Sequence, residues 1–415
     1  MRFFHVSDLH FGKTLHNVPL VEEDQPYWVE QFIKAVDDYN PEAVVIAGDI
    51  YDRKVPSPEA MKLFDHLITD LSKRDKYVFV IPGNHDSAVR LSHVNELLAS
   101  HKIFISGEVQ RELMHVNLPC DAGDVTFWLM PYIFPKLVAS EKVLDQPDIT
   151  TYDMAARALL DAQEINKNGC NILVAHQNVL ANGVSPEHSE SETIIGGLGE
   201  IDYTAFDGFD YVALGHIHNA QKIGRETVRY AGCPLYYDFS EIKRNKGLTL
   251  VTVQSKTDIS VEQIDIPLKH SLYQVCGTLD ELIRVGVTFE NKEKYYVQCV
   301  LQDKHVPPRA LEQLRDVYGE CLVNVKRDLS GIAFSPASSA HRSDNASLSL
   351  DEQFSMFYQE QQNELLDGDQ ECLVQKIIEQ QSRQGSDYFL DYKAVPKTDS
   401  QELVDFLLSM TTEDN

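Results

Sequence analysis

Five short clusters carry the residues able to do chemistry: Asp8-Leu9-His10, Gly48-Asp49-Ile50-Tyr51-Asp52, Gly83-Asn84-His85-Asp86, His176, and Gly215-His216-Ile217-His218. Aspartate, histidine and an asparagine amide oxygen make a hard-to-borderline set of metal ligands. No thiolate stands among them, so Mn²⁺, Fe²⁺ or Mg²⁺ suits the set better than structural zinc. Seven groups qualify as ligands: Asp8, His10, Asp49, Asn84, His176, His216 and His218. If Asp49 bridges, two ions receive four protein ligands each. Two ions roughly 3.5–4 Å apart can clamp a phosphate and stabilise an in-line displacement. Asn84 is the better ligand of its cluster. That leaves His85 to protonate a leaving oxygen or stabilise charge on the phosphate. Asp52 or Asp86 is placed to orient it, and either could instead cap a helix. A single D-x-H or G-x-H-x-H is often coincidence in a chain with 15 histidines. Five compatible clusters in order are not.

The clusters share one setting, the end of an apolar run. Strands are expected at 3–6, 43–47 and 77–81, with helices at 22–39 and 58–72 between them. Trp28, Phe32 and Val36 line one face of the first helix, and Leu63, Leu67 and Leu71 one face of the second. This β-α-β-α-β order predicts an α/β layered sheet. Further strands are expected at 172–175, 211–214 and 248–253. In open α/β sheets ligands gather beyond the carboxyl ends of strands, so five loops can converge on one point. Gly48, Gly83 and Gly215 precede ligands where the chain must turn, which predicts backbone angles that only glycine accepts.

Residues from about 267 to 330 read as a small α+β unit, with strands at 295–300 and 321–326 and a helix at 309–317. The Ser- and Ala-rich stretch 334–346 reads as a linker. Ser349 to Glu352 then fits a capping box opening a helix that Asp367-Gly368-Asp369 should break. A second helix follows, with Leu373/Ile377 and Val374/Ile378 spaced four apart. This hairpin either packs on its own protein or docks on a partner. A short amphipathic stretch at 403–407 ends the chain.

The 415 residues suffice for two or three domains, and 43% hydrophobic content excludes a disordered or collagen-like chain. No apolar run nears the ~20 residues of a membrane helix. The N-terminal run is too short and polar for a secretory signal, so a cytoplasmic location is expected. The seven cysteines are odd in number and lack C-x-x-C spacing, which argues against a disulfide framework or a thiolate zinc site. The formal charge is −27, and residues 343–415 hold 16 Asp/Glu against 4 Lys/Arg. Such acidity opposes strong unaided binding to nucleic acid. It leaves DNA open as a substrate when a partner supplies basic surface.

The motifs DLHFGK at 8–13, GDIYDR at 48–53, GNHDS at 83–87, YVALGHIHNAQ at 211–221 and GCPLYYDFSE at 232–241 resemble the calcineurin-like metallophosphoesterases. They are most similar to the DNA-repair nuclease branch of that superfamily. The resemblance covers about 1–265 by motif and the remainder by organisation. It implies a layered β-sandwich core flanked by helices over 1–265, an α+β capping domain over 266–332 and a linker over 333–347. Beyond these would come a helical hairpin over 348–382 and an acidic tail over 383–415. It places Asp8, His10, Asp49 and His218 on one ion, and Asp49, Asn84, His176 and His216 on the other, with His85 catalytic. It implies Mn²⁺-dependent cleavage of DNA, as a 3′→5′ exonuclease on duplex ends and an endonuclease on single strands and hairpins. It implies a homodimer and docking of the hairpin on a coiled-coil, SMC-like ATPase. ATP would be used by that partner, since this chain has no P-loop motif. Lys13, Arg53, Lys54 and Arg90 flank the motifs as candidate DNA contacts or as ordinary solvated cations. Competing readings are a phosphatase or small-nucleotide phosphodiesterase of the same chemistry, and a non-catalytic scaffold with a relic site.

Overall fold

A computed structural model of the chain describes residues 1–120, 123–189, 192, 199–303 and 307–328, with Ser355, Gly368 and Val374 as isolated positions. The chain divides into two units, 1–331 and 332–415. The first contains all the extended secondary structure described below.

The first unit opens with β1 (Arg2–Val6), α1 (Asp24–Tyr39), β2 (Ala43–Ala47), α2 (Pro58–Lys73), β3 (Tyr77–Ile81) and the short β4 (Ile103–Ile105). These strands run parallel, side by side. Ser57 caps α2 by accepting from the Ala60 N–H, and Pro58 sits at its first position, where a missing N–H costs nothing.

The chain then builds a second sheet from β5 (Met114–Leu118), β6 (Val125–Met130), β7 (Cys170–His176), β8 (Tyr211–Gly215), β9 (Gln221–Ile223) and β10 (Arg225–Tyr230). Helix α3 (Tyr152–Asp161) lies between β6 and β7 in sequence, and the spatial strand order is β9-β10-β8-β7-β6-β5. The chain returns to the first sheet with β11 (Gly247–Ser255) and β12 (Asp258–Asp265), giving the order β12-β11-β1-β2-β3-β4.

The two sheets face each other. Phe3, Ala43, Val45, Ala47, Phe79 and Ile81 of the first pack with Phe127, Leu129, Ile172, Val174, Tyr211 and Ala213 of the second. The alternate residues Phe4, Val6, Val44 and Ile46 point the other way and pack with Trp28, Phe32, Val36, Leu63, Leu67 and Leu71 of α1 and α2. Burial on both faces is why these strands read as unbroken apolar runs rather than alternating ones. Leu173, Val212 and Leu214 likewise back onto Ala155, Ala156 and Leu159 of α3. The architecture is a β-sandwich with helices outside, in agreement with the layered α/β fold expected.

A three-stranded parallel sheet follows: β13 (Ser271–Gly277), β14 (Tyr295–Leu301) and β15 (Leu322–Arg327), with α4 (Leu279–Thr288) and α5 (Ala310–Tyr318) as crossovers. It has its own core around Leu282, Val297, Cys299, Leu314 and Tyr318. It is tied to the larger layers through Asp24 at the start of α1. The His270 Nδ1 lies 2.9 Å and the Tyr296 hydroxyl 2.6 Å from the Asp24 carboxylate, which is 4% exposed.

The expected linker, most of the helical hairpin and the terminal stretch lie outside the described residues. Ser355, Gly368 and Val374 are each helical. Of the expected break at Asp367-Gly368-Asp369 only Gly368 is described, and the flanking aspartates lie outside the described residues. No helix among the described residues is long and apolar enough to cross a membrane.

Candidate metal centre

The five clusters sit where parallel strands end. Asp8 and His10 follow β1, Asp49 follows β2, Asn84 follows β3, His176 closes β7, and His216 and His218 follow β8. Because both sheets present these ends side by side, loops far apart in sequence meet. The Asp8 N–H donates to the Gly48 carbonyl at 3.0 Å and the His10 N–H to the Asp49 carbonyl at 2.9 Å. The His216 N–H reaches back to the Asp8 carboxylate at 3.1 Å.

The donor atoms form two groups. His10 Nε2 lies 3.3 Å from His218 Nε2 and 3.6 Å from Asp49 Oδ2, and Asp8 belongs to the same cluster. Asn84 Oδ1 lies 3.2 Å from His176 Nε2 and 3.0 Å from His216 Nδ1, while His176 Nε2 is 3.3 Å from Asp49 Oδ2. Asp49 Oδ2 thus faces both groups. Ligand atoms about 2.1 Å from one cation at right angles stand about 3 Å apart. The donor set fits a pair of divalent ions in chemistry and in spacing.

Burial sets the charges. Asp8, His10, Asp49, His176 and His218 are all at most 5% exposed. Burial, then the neighbouring cationic histidine, pushes His216 down to about 3, and burial drives His10 well below the usual imidazole range. Both are neutral, the form in which an imidazole can bind a metal ion. Burial also lowers His176, but the Asp49 carboxylate outweighs it and raises His176 to about 9. Asp49 carries a burial penalty too, yet His176 and His10 hold it well below the usual carboxylate range.

Several of the candidate ligands occupy strained backbone. Asp8, His10 and Asp49 have φ of 53°, 42° and 51°, and His216 has 103°. Positive φ in such residues costs of order 1–3 kcal/mol and persists where surrounding structure over-determines it. Gly48 does have the positive φ expected, at 86°. Gly83 does not. It is required by proximity, since a Cβ there would stand 2.1 Å from Asp49 Oδ1. Gly215 likewise serves close approach rather than unusual angles, with a Cβ meeting the Ala47 carbonyl oxygen at 2.0 Å.

His85 lies beside the ligands, its ring centroid 4.9 Å from that of His10. Its main-chain N–H donates to Asp49 Oδ1 at 2.9 Å, and its ring Nδ1 pairs with the Asp52 carbonyl oxygen at 2.9 Å. That pairing makes Nδ1 the protonated nitrogen and leaves Nε2 available. The Asp52 contact is made by its main chain. Its carboxylate faces Lys13 at 3.0 Å, and His10 and Arg53 each at 3.7 Å. The Asp86 carboxylate accepts from the N–H groups of Ile50, Tyr51 and Gly83 at 2.9–3.0 Å. It therefore ties two ligand loops together, a role distinct from both orienting His85 and capping a helix. Lys13 is held by Asp52 and by the Tyr237 ring. Arg53, Lys54 and Arg90 are exposed.

Residues 1–220 match the calcineurin-like phosphoesterase family, which is more than half of the chain. This chain belongs to the calcineurin-like phosphoesterases. It is a phosphoesterase by family, and its fold implies divalent metal. The curated proteins it resembles include the SbcD component of the SbcCD nuclease of Staphylococcus epidermidis, 28% identical over 337 residues, or 80% of this chain and 86% of that one. Among solved structures, a dimetal phosphatase from Danio rerio matches at 10% identity and a TM-score of 0.39, covering 65% of this chain and 98% of that one. A Thermus thermophilus protein matches at 12% identity and a TM-score of 0.36, covering 63% and 98%.

The phosphoesterase site also relies on residues that sequence reasoning left without a role. The Glu241 carboxylate, fully buried, lies 3.6 Å from His218 Nδ1 and accepts from the Lys246 ammonium at 2.7 Å. Lys246 also reaches Cys233 Sγ at 2.9 Å. Its ammonium supplies the positive charge that a metal ion would otherwise bring to the His218-Cys233-Glu241 group. A carboxylate on the far nitrogen of a ligand histidine fixes its tautomer and ring orientation. Tyr237 donates to the Leu9 carbonyl at 2.7 Å, Gln25 to the His10 carbonyl at 2.8 Å, and the His218 N–H to Glu192 at 2.7 Å. Tyr237 and Glu241 lie within the motif at 232–241, which was a usable signal. Gln25 and Glu192 are helix or loop residues whose sequence setting carries none.

Proposed function

We propose that this chain is the nuclease component of an SbcCD-type DNA repair complex, cleaving phosphodiesters with two divalent ions, Mn²⁺ by preference. The supporting observation is the 337-residue match to a curated SbcCD nuclease component. That match is longer than the 220 residues of the family region, so it runs into the chain beyond a minimal phosphoesterase. A phosphatase of the same chemistry has no need of the added α+β layer.

In this reading Asp8, His10, Asp49 and His218 hold one ion, and Asp49, Asn84, His176 and His216 the other. Bound ions there supply polarisation of the phosphodiester and activation of the attacking water. His85, with its Nδ1–H committed to the Asp52 carbonyl, presents Nε2 to the substrate; a proton taken up at Nε2 would be passed to the leaving oxygen. Asp86 and Gln25 keep the ligand loops in register, so little reorganisation accompanies the reaction. Residues 266–332 cap the site and help to hold DNA. Residues 348–382 dock on the coiled coil of an SbcC-type ATPase, which alone uses ATP, with 333–347 as the tether and 383–415 as an acidic tail. The activities are 3′→5′ cleavage at duplex ends and endonucleolytic cleavage of single strands and hairpins, by a cytoplasmic homodimer.

The test is Mn²⁺-dependent cleavage of a labelled DNA hairpin, with and without the ATPase and ATP, beside Asp49→Ala. Cleavage that needs Asp49 and rises with the ATPase is expected. Absence of DNA cleavage alongside Asp49-dependent hydrolysis of a generic phosphodiester would transfer the site to phosphoproteins or small nucleotides.

A further inference from the structure

Beside the second ligand group lies a cleft of about 130 Å³ that phosphodiester cleavage at the metal centre leaves unused. Gly83 and Asn84 line it, as does a wall of Tyr132, Phe134 and Leu137. The Tyr132 N–H donates to the Pro82 carbonyl at 3.1 Å, which fixes this wall to the Asn84 loop. The Tyr132 ring centroid is 6.2 Å from those of both His176 and His216. Phe134 meets Tyr132 edge-on at 4.9 Å, and Tyr152 lies 6.3 Å and 6.5 Å from the two rings.

Two features point to the occupant. The first is exposure. Phe134 is 46% and Leu137 37% exposed, although both adjoin a centre built for a phosphate. Apolar surface left open at the edge of a polar site marks a ligand contact. The second is charge. Glu108 and Lys54 are exposed and offset one another, while the Asp86 carboxylate is spent on three main-chain N–H groups. The cleft therefore offers no excess positive charge to a second phosphate, and it suits a flat uncharged group. A nucleobase is such a group, and aromatic side chains stack on any base through its π-face.

We propose that Tyr132 and Phe134 form a subsite for the nucleobase next to the scissile phosphate, with the base stacked on Phe134 and the phosphate over the Asn84 side of the metal centre. This rests on the nuclease reading. Base stacking at this point selects nucleic acid over other phosphodiesters without reading its sequence, and it sets the register of cleavage.

The experiment uses the full-length protein with Mn²⁺ and an end-labelled single-stranded oligonucleotide carrying one abasic residue at a central position. Cleavage at each bond is compared within one lane. The wild type is expected to cut one of the two bonds flanking the abasic residue at least tenfold less than the other bonds of the strand. Phe134→Ala is expected to cut all bonds of the strand to within about twofold of one another, and Phe134→Tyr to restore the dip. Metal stoichiometry of each variant checks folding independently. An even ladder from the wild type overturns the subsite without recourse to any variant. A dip that persists in Phe134→Ala of full metal content overturns the assignment to this wall. Hydrolysis of bis(p-nitrophenyl) phosphate with no cleavage of any oligonucleotide overturns the nuclease reading, and the subsite with it.

Discussion

At the scale of single residues, the candidate ligands are held by groups that lie outside the ligand set. Glu241 joins His218 to Lys246 in a space closed to water. Glu241→Gln keeps the shape but removes the charge. Loss of an outer partner of a ligand histidine typically lowers metal affinity 10–100-fold. A loss of about tenfold is expected here, measured by Mn²⁺ titration calorimetry. The same change leaves the Lys246 ammonium buried without its counter-charge. Breaking a buried pair in this way costs roughly 3–5 kcal/mol, whereas replacing both partners is often near neutral. Glu241→Gln with Lys246→Met should therefore recover most of the stability in denaturant titrations, but not the metal affinity. Recovery of both together would mean that Glu241 acts only through packing.

His5 supplies a second prediction of a different kind. It is fully buried between the sheets, with Nδ1 3.1 Å from the Tyr211 hydroxyl and Nε2 3.2 Å from the Leu214 carbonyl. Burial lowers it to about 3. Unfolding at pH 5 therefore takes up a proton that the folded chain refuses, so stability falls as pH drops below the unfolded value near 6.5. Between pH 7 and pH 5 the loss from this group is about 2 kcal/mol. His5→Gln should remove that share of the pH slope in urea titrations at the two pH values. An unchanged slope would show that other groups carry the acid sensitivity.

At the scale of elements, what the sequence revealed follows from burial. Ala43–Ala47 and Tyr77–Ile81 were readable to the residue because both faces of those strands are covered, which leaves an unmistakable apolar run. β10 and β12 escaped notice because Arg225–Tyr230 and Asp258–Asp265 carry charge on their open faces and lie toward the edges of their sheets. α3 was missed because its buried face, Ala155, Ala156, Leu159 and Leu160, spans fewer than two turns and is half alanine, which leaves a short periodic signal. Its cap, Thr151 accepting from the Met154 N–H, was the better clue. The convergence of the seven candidate side chains was legible because metal chemistry restricts such candidates to a few residue types, each placed after a strand. The partners of those ligands were not, since Gln25, Tyr237 and Glu192 act through main-chain groups that no spacing rule reveals. α1 shows the consequence. Asp24 holds the small parallel sheet through His270 and Tyr296, and the next residue, Gln25, holds the His10 loop. Hydrogen bonds to a buried charge are worth about 1.5–3 kcal/mol each. A double-mutant cycle of Asp24→Ala with Tyr296→Phe should give a coupling of that order in urea titrations. Simple additivity would mean that the two side chains meet without stabilising the junction.

At the scale of the whole molecule, charge becomes the governing quantity. A net charge of −27 sets a repulsive field against a polyanion, and the last 73 residues contribute −12 of it. A two-ion site adds positive charge only locally, and at about 8 Å screening length in physiological salt its reach is short. Among the cations beside the motifs, Lys13 is already neutralised by Asp52. The isolated chain should therefore bind duplex DNA weakly and cleave it slowly, so that access depends on a partner with basic surface. The salt dependence of binding separates this from the alternative. Few phosphates neutralised by this chain imply a shallow fall of log affinity with log salt, whereas six to ten contacts would lose roughly 10³–10⁵-fold between 50 and 200 mM. Fluorescence anisotropy of a labelled duplex across that range, with Ca²⁺ in place of Mn²⁺ to suppress cleavage, measures the slope directly. A shallow slope that steepens when the ATPase and ATP are added would place the DNA grip on the partner. A steep slope for the chain alone, with tight binding at physiological salt, would mean that this acidic protein carries its own DNA surface, and the partner's role would then be to open the site rather than to deliver the substrate.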